Sequence, residues 1–166
     1  MKQYMLSFVT AALLASALAP AGMAQAVAKP LTALKVQVVI SRYEGDKKVS
    51  SLPYTMAVTS NDRGVSLRMG SQVPIPSNGG GFSYQNVGTN IDCTATSTDE
   101  ARFNLHITIS DSSVLERRLD SPPTLRNFNT DNSVVLRDGQ STQFTAATDK
   151  ITGEVVKVEV TLTVEK

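Results

Sequence analysis

The sequence predicts an all-β fold, an antiparallel β-sandwich of about seven to nine short strands, and three observations carry that expectation. Apolar residues recur with period two through almost all of the chain after residue 26. Turn-forming clusters interrupt them at intervals of about ten residues. No segment in that stretch repeats its apolar residues at helical spacing.

The first residues stand apart from this pattern. Lys2 precedes an apolar stretch from Met5 to Leu18, Pro20 and Gly22 break it, and Ala24, Gln25 and Ala26 have the small-x-small form that signal peptidase cuts. The run is shorter than the roughly 20 residues that span a bilayer, which argues against a membrane anchor. Residues 1–26 therefore read as a secretory signal peptide, and residues 27–166 as a single β-sandwich domain. No cysteine lies near the cut to carry a lipid and no twin-arginine pair precedes the apolar run, so the mature chain is expected in the periplasm or secreted.

The strands follow in order. Leu34, Val36, Val38 and Ile40 share one face of "LKVQVVIS" while Lys35 and Gln37 share the other. Leu52, Tyr54, Met56 and Val58 repeat the pattern after a turn at Gly45 and Asp46, and "NDRG" at Asn61 to Gly64 marks the next break. These read as consecutive hairpins. Val65, Leu67 and Met69 are expected inward, followed by a loop over "PIPSNGGG". Ile91, Cys93 and Ala95 form an inward face, as do Phe103, Leu105, Ile107 and Ile109. From Asp111 to Pro123 the alternation lapses, which predicts an exposed loop. It returns at "TLRNFN" and "SVVLR", where Asp138-Gly139 predicts a hairpin. "TQFTA" and a last strand with Val156, Val158, Val160, Leu162 and Val164 inward complete the sheet.

Composition excludes several roles. Of 16 Lys and Arg and 15 Asp and Glu, Lys2 leaves with the signal peptide, so the mature charges balance. Nucleic acids and anionic membranes are recognised first by an excess of Lys and Arg, and no such excess exists. The outward face carries Lys35, Lys157 and Glu159, and the chain is poor in aromatics, unlike the apolar, aromatic-girdled exterior of a membrane barrel. No integral membrane segment is expected in the mature chain.

Catalytic motifs are equally scarce. His106 is the sole histidine, and "NLHIT" places it opposite Leu105 and Ile107, facing solvent. No G-x-S-x-G elbow accompanies it. Cys93, the sole cysteine, cannot form an internal disulfide and reads as a small buried apolar residue. A metal site built on Cys93 and His106 would need both on one side of a sheet. Asp99, Glu100 and Asp131 are the acidic candidates for general acid and base work, and each is expected in a turn, where a carboxylate is ordinarily a solvated cap. Gly79 to Gly81 lack the Lys and Ser or Thr of a phosphate loop. The expectation is a protein that is not an enzyme and holds no cofactor or metal. Its partner is expected to be a protein, met by loop and edge residues such as Ser77, Asn78, Tyr84, Arg117 and Arg118.

The order of the remaining motifs is similar to that of a known family. "GSQVPIP" from Gly70, "YQNVGTNIDCTATS" from Tyr84, "FNLHITISDSSV" from Phe103 and "NSVVLRDGQSTQF" from Asn132 follow one another. That succession resembles the C-terminal domain of bacterial secretins, the outer-membrane channel proteins of type II and type III secretion and of type IV pili. The resemblance runs from Gly70 to Phe144. Secretins follow their D-G-Q with a glycine-leucine pair and a V-P-x-x-G-D-x-P stretch, whereas this chain continues with "STQFTAATDK", and it carries no repeated N-terminal domains. The resemblance implies a small exported relative that keeps the β-scaffold without the channel parts. Three roles follow as alternatives: a non-catalytic envelope module that binds a protein, a subunit of an outer-membrane channel, and a small periplasmic hydrolase using His106.

Overall fold

A computed structural model of the chain describes residues 29–77, 80–98, 101–116 and 123–165. The signal-peptide expectation for residues 1–26 falls outside them. Eight strands form: β1 (Ala33–Glu44), β2 (Lys47–Thr59), β3 (Val65–Pro76), β4 (Phe82–Ser97), β5 (Arg102–Glu116), β6 (Thr124–Arg137), β7 (Ser141–Thr148) and β8 (Val155–Val164). They make two four-stranded sheets, β2-β1-β8-β7 and β3-β4-β5-β6, with every pairing antiparallel. The fold is a β-sandwich.

The core lies between the sheets. Leu34, Val36, Val38 and Ile40 of β1 and Val158, Val160 and Leu162 of β8 face Ile91, Cys93, Leu105, Ile107 and Ile109 of the other sheet, all buried. Period two places them together because successive side chains point to opposite faces of a strand.

Four expectations are corrected. Asn61 to Gly64 does not close a hairpin: β2 and β3 lie in different sheets. Asn61 adopts φ 59°, and its side chain bonds Ser97 of β4 through Nδ2 at 2.7 Å and Oδ1 at 3.0 Å, so the turn hands the chain across the sandwich. Asp138-Gly139 does the same between β6 and β7, because the backbone after the turn bonds β8 instead of returning along β6: Gly139 N donates to Leu162 O and Leu162 N donates to Gln140 O.

The predicted loop from Asp111 is strand as far as Glu116, since β5 continues to pair with β6 there. Asp111 points inward and is buried, held by Arg42 and Thr89, so a polar residue takes an apolar position without leaving a charge unpaired. Pro74 to Pro76, expected in the next loop, likewise stay in β3. Proline lacks an N–H to donate, and β3 is the edge of its sheet, where that loss breaks no ladder bond.

Inward placement also fails at two positions. Leu52 is 45% and Met69 67% exposed, since both lie on edge strands and line an open cleft between β2 and β3.

Candidate functional site

Two features distinguish this sandwich, and the first is a chain of charges through its interior. Arg42 of β1 donates from one guanidinium nitrogen to Glu154 at 2.9 Å and from another to Asp111 of β5. Arg126 of β6 donates to the second oxygen of Glu154, also at 2.9 Å, with Asp149 at 4.0 Å. Thr89 of β4 donates to Asp111 at 2.6 Å, and Tyr54 of β2 lies 3.0 Å from the Thr89 hydroxyl. Residues of both sheets are thus tied together at one end of the core. Asp149 is ionised over a wide range, since backbone N–H groups of Ile151 and Thr152 hold its carboxyl below the usual value.

The second feature is a fork in the β3-to-β6 sheet. β4 pairs with β5 only from Gly88 to Ser97, yet it pairs with β3 from Phe82 to Cys93. The portion of the β3–β4 hairpin from Gly70 and Gly88 outward therefore leaves the sheet as a two-stranded arm. Gly88 marks the departure with φ 148°, and a Cβ there would stand 2.1 Å from Met69 O. The Ser112 hydroxyl of β5 replaces the missing partner strand, accepting from Gly88 N at 2.9 Å and lying 3.3 Å from Gly88 O.

The arm carries exposed apolar surface. Phe82 is 66% and Tyr84 64% exposed, opposite Pro76 and Pro74, with Met69 at its base. Among the described residues both long edges of the arm are open, β3 because it ends its sheet and β4 because β5 has departed. A cleft of about 590 Å³ lies between this base and β2, lined by Leu52, Tyr54, Met69, Val87 and Val114 among others.

Sequence-predicted residues divide accordingly. Ser77 sits in the turn at the tip of the arm, where its N–H donates to Gly81 O at 2.9 Å, and Tyr84 lies on the arm. Asn78, Arg117 and Arg118, with Gly79, Asp99 and Glu100, lie outside the described residues. Asp131 is not in a turn but on β6, exposed on the outer face beside His106.

His106 lies on the outer face of its sheet. Ser133 Oγ stands 3.2 Å and Asp131 Oδ1 3.5 Å from the same ring nitrogen, Nδ1. A nucleophile–base–acid relay needs its two partners on opposite nitrogens of the imidazole, so this trio does not form one. Cys93 is buried on the inner face, and burial pushes its thiol up to about 11, the reverse of activation. The two residues most suited to chemistry are thus on opposite faces.

The buried charge chain was missed in the sequence. Arg42, Asp111, Arg126 and Glu154 are far apart along the chain, and only Asp111, polar at an inward position of an alternating strand, signalled it.

No protein-family model matches the sequence, and no curated protein is similar to it. Solved structures similar to the chain include secretins. The type II secretin GspD from enteropathogenic Escherichia coli is 10% identical with a TM-score of 0.44, covering 82% of this chain and 68% of that one. The secretin domain of InvG from the Salmonella SPI-1 injectisome is 9% identical with a TM-score of 0.41, over 81% and 59%. ExeD from Aeromonas hydrophila is 11% identical with a TM-score of 0.42, over 81% and 48%.

Proposed function

We propose that this chain is an exported, non-catalytic envelope module that binds a protein partner through the β3–β4 arm and the open strand edges beside it. The observation that carries the reading is the arm itself: a hairpin with both edges open and with Phe82, Tyr84 and Met69 facing solvent. Open edges offer backbone donors and acceptors to an added strand, and exposed aromatic side chains supply the apolar anchors that such contacts need. An isolated two-stranded hairpin is marginal in water, so a partner that extends the arm also stabilises it.

Site-specific photo-crosslinking from positions 82 and 84 in intact cells tests this. A discrete protein adduct in the envelope fraction, formed from both positions and absent from an outer-face control at Thr94, is the expected result. Crosslinking to nothing from either position would refute it.

A second reading, a subunit of an outer-membrane channel, is favoured by strand length. β4, β5 and β6 run 16, 15 and 14 residues, and a membrane-crossing strand needs about 9–11. Against it stands the outer face of that sheet, where Ser66, Asp92, Thr108 and Asp131 align across four strands. Native mass in soluble and membrane fractions separates the two: a large membrane-bound ring selects the channel, a small soluble species the binding module.

A further inference from the structure

The two edges of the β3–β4 arm are unequal, and the inequality bears on what can pair with it. In an antiparallel pair each residue directs its N–H and C=O to one side, and successive residues alternate. Gly88 points to the β5 side, since its N donates to Ser112 Oγ at 2.9 Å and its O lies 3.3 Å from the same hydroxyl. The β3–β4 register runs unbroken from Gly70 and Gly88 to Pro76 and Phe82, so Asn86, Tyr84 and Phe82 point the same way, into the gap that β5 leaves. Their partners Gln72, Pro74 and Pro76 point to the free edge of β3, where the prolines offer no donor. The β4 edge is therefore the one that can take up a strand with donors and acceptors alike.

Charge separates this edge from the others described. No Asp, Glu, Lys or Arg occurs from Gly70 to Gly88. The edge strand β2 carries Lys47 and Lys48, β6 carries Arg126, Asp131 and Arg137, and β7 shifts register between Thr145 and Ala147. Charges and bulges are the ordinary guards against edge-to-edge pairing between copies of one chain, and the outer part of β4 has neither.

We infer that the partner of the arm is a second copy of this chain, whose β4 pairs antiparallel with β4 about a two-fold axis at Tyr84. In that register Tyr84 lies opposite Tyr84 of the second copy and Phe82 opposite its Asn86, so the N–H and C=O of all three residues find partners on both copies. A slide by two residues either way sets one of them opposite Gly88, already held by Ser112, or opposite Gly80, whose N–H goes to Ser77 O. The two-fold register also aligns Pro74 and Tyr84 of one copy with Tyr84 and Pro74 of the other in one apolar row. Phe82 then stands beside a cleft of about 380 Å³ at the base of the other arm, lined by Gly70, Gln72, Asn86, Gly88 and Ser112 among others. The turn at Gly80 and Gly81, bare of side chains, comes to the point where β5 departs. Two marginal hairpins become one four-stranded sheet. The inference rests on the reading of the arm as the partner-binding surface and names the partner.

Sedimentation equilibrium of the purified protein is expected to show a reversible monomer–dimer equilibrium. Tyr84→Lys, which opposes two ammonium groups at the axis and removes the aromatic contact, is expected to weaken it tenfold or more. Tyr84 is 64% exposed, so that variant keeps the fold. Register is read by disulfide formation in a Cys93→Ala background. Tyr84→Cys is expected to link the two copies, since paired Cα atoms stand about 5.5 Å apart. Phe82→Cys is expected not to, because its two copies lie about 13 Å apart along the strands. A monomer at about 1 mM protein, a dimer indifferent to Tyr84→Lys, or equal linking from both positions would each overturn the inference. With a monomer, a photo-crosslink from positions 82 and 84 to a different protein would leave the binding-module reading standing, whereas no photo-crosslink at all would remove both.

Discussion

β4 runs through two environments, and the contrast between them separates what holds this protein together from what it presents. From Thr89 to Ala95 every second residue is buried, whereas from Phe82 to Asn86 every residue is exposed. The period-two backbone is the same in both stretches. The difference is neighbours: the inner stretch lies between β3 and β5 and under the other sheet, while the outer one has β3 alone. A strand's sequence pattern sets which residues share a face, but burial depends on whether a second layer covers that face. The body is accordingly the stable unit and the arm the region expected to open most easily.

The largest effect expected of a single substitution lies in the body. Arg42→Ala leaves Asp111 and Glu154, 6% and 7% exposed, without their shared counter-charge. Breaking a buried pair from one side costs about 3–5 kcal/mol, to be read from urea denaturation as a lower midpoint at unchanged slope. A loss below about 1 kcal/mol would put this cluster with ordinary surface pairs and erase the distinction between body and surface charge.

At the boundary, Gly88→Ala introduces a Cβ 2.1 Å from Met69 O at φ 148°. Strain of that kind together with overpacking costs roughly 2–4 kcal/mol. The expected signature is local: hydrogen exchange speeds up from residues 82 to 88 and at Ser112, while the amides of β1 and β8 keep their order of protection. Equal acceleration of arm and body would show that the two do not open separately.

Cys93 sharpens the comparison from inside the core. Its thiol ionises near 9.0 in an exposed reference state and at about 11 in the fold, because burial disfavours the thiolate. The folded pKa is the raised one, so this contribution to stability is full below pH 9 and declines as the pH rises from 9 towards 11. The total is at most roughly 2–3 kcal/mol. Subtracting the stability profile of Cys93→Ala from that of the wild type isolates it, and a flat difference would mean that water reaches the Cys93 side chain.

How much of this was legible beforehand follows the same division. The inner faces of β1, β4, β5 and β8 were readable because a core between two sheets imposes strict alternation. The turns at Asn61 and Asp138-Gly139 were readable as turns but not as crossings between sheets, since turn chemistry fixes local dihedral angles and says nothing of which strand pairs next. Asp111 defeated the pattern for a tertiary reason: its partners Arg42 and Thr89 are distant in sequence, so a polar residue that ends an apolar stripe looks like a loop. Tyr84 was legible as a candidate contact residue, whereas the arm that displays it depends on where β5 leaves β4, which Gly88 marks in the structure but which a lone glycine in a strand does not reveal in the sequence.

The smallest effect on stability, and the one that bears most directly on function, is expected from the arm. Phe82 and Tyr84 are each about two-thirds exposed, so replacing both by Ser removes little buried area and should change stability by no more than about 0.5 kcal/mol. The same double substitution removes the two largest apolar side chains on an otherwise open hairpin, and large aromatic contacts dominate protein interfaces. Crosslinking from Met69, at the base of the arm, should therefore fall by tenfold or more in the double variant while its urea midpoint stays put. A variant that unfolds more readily but keeps its crosslink would invert the comparison, making the aromatic pair part of the body and moving the contact surface elsewhere.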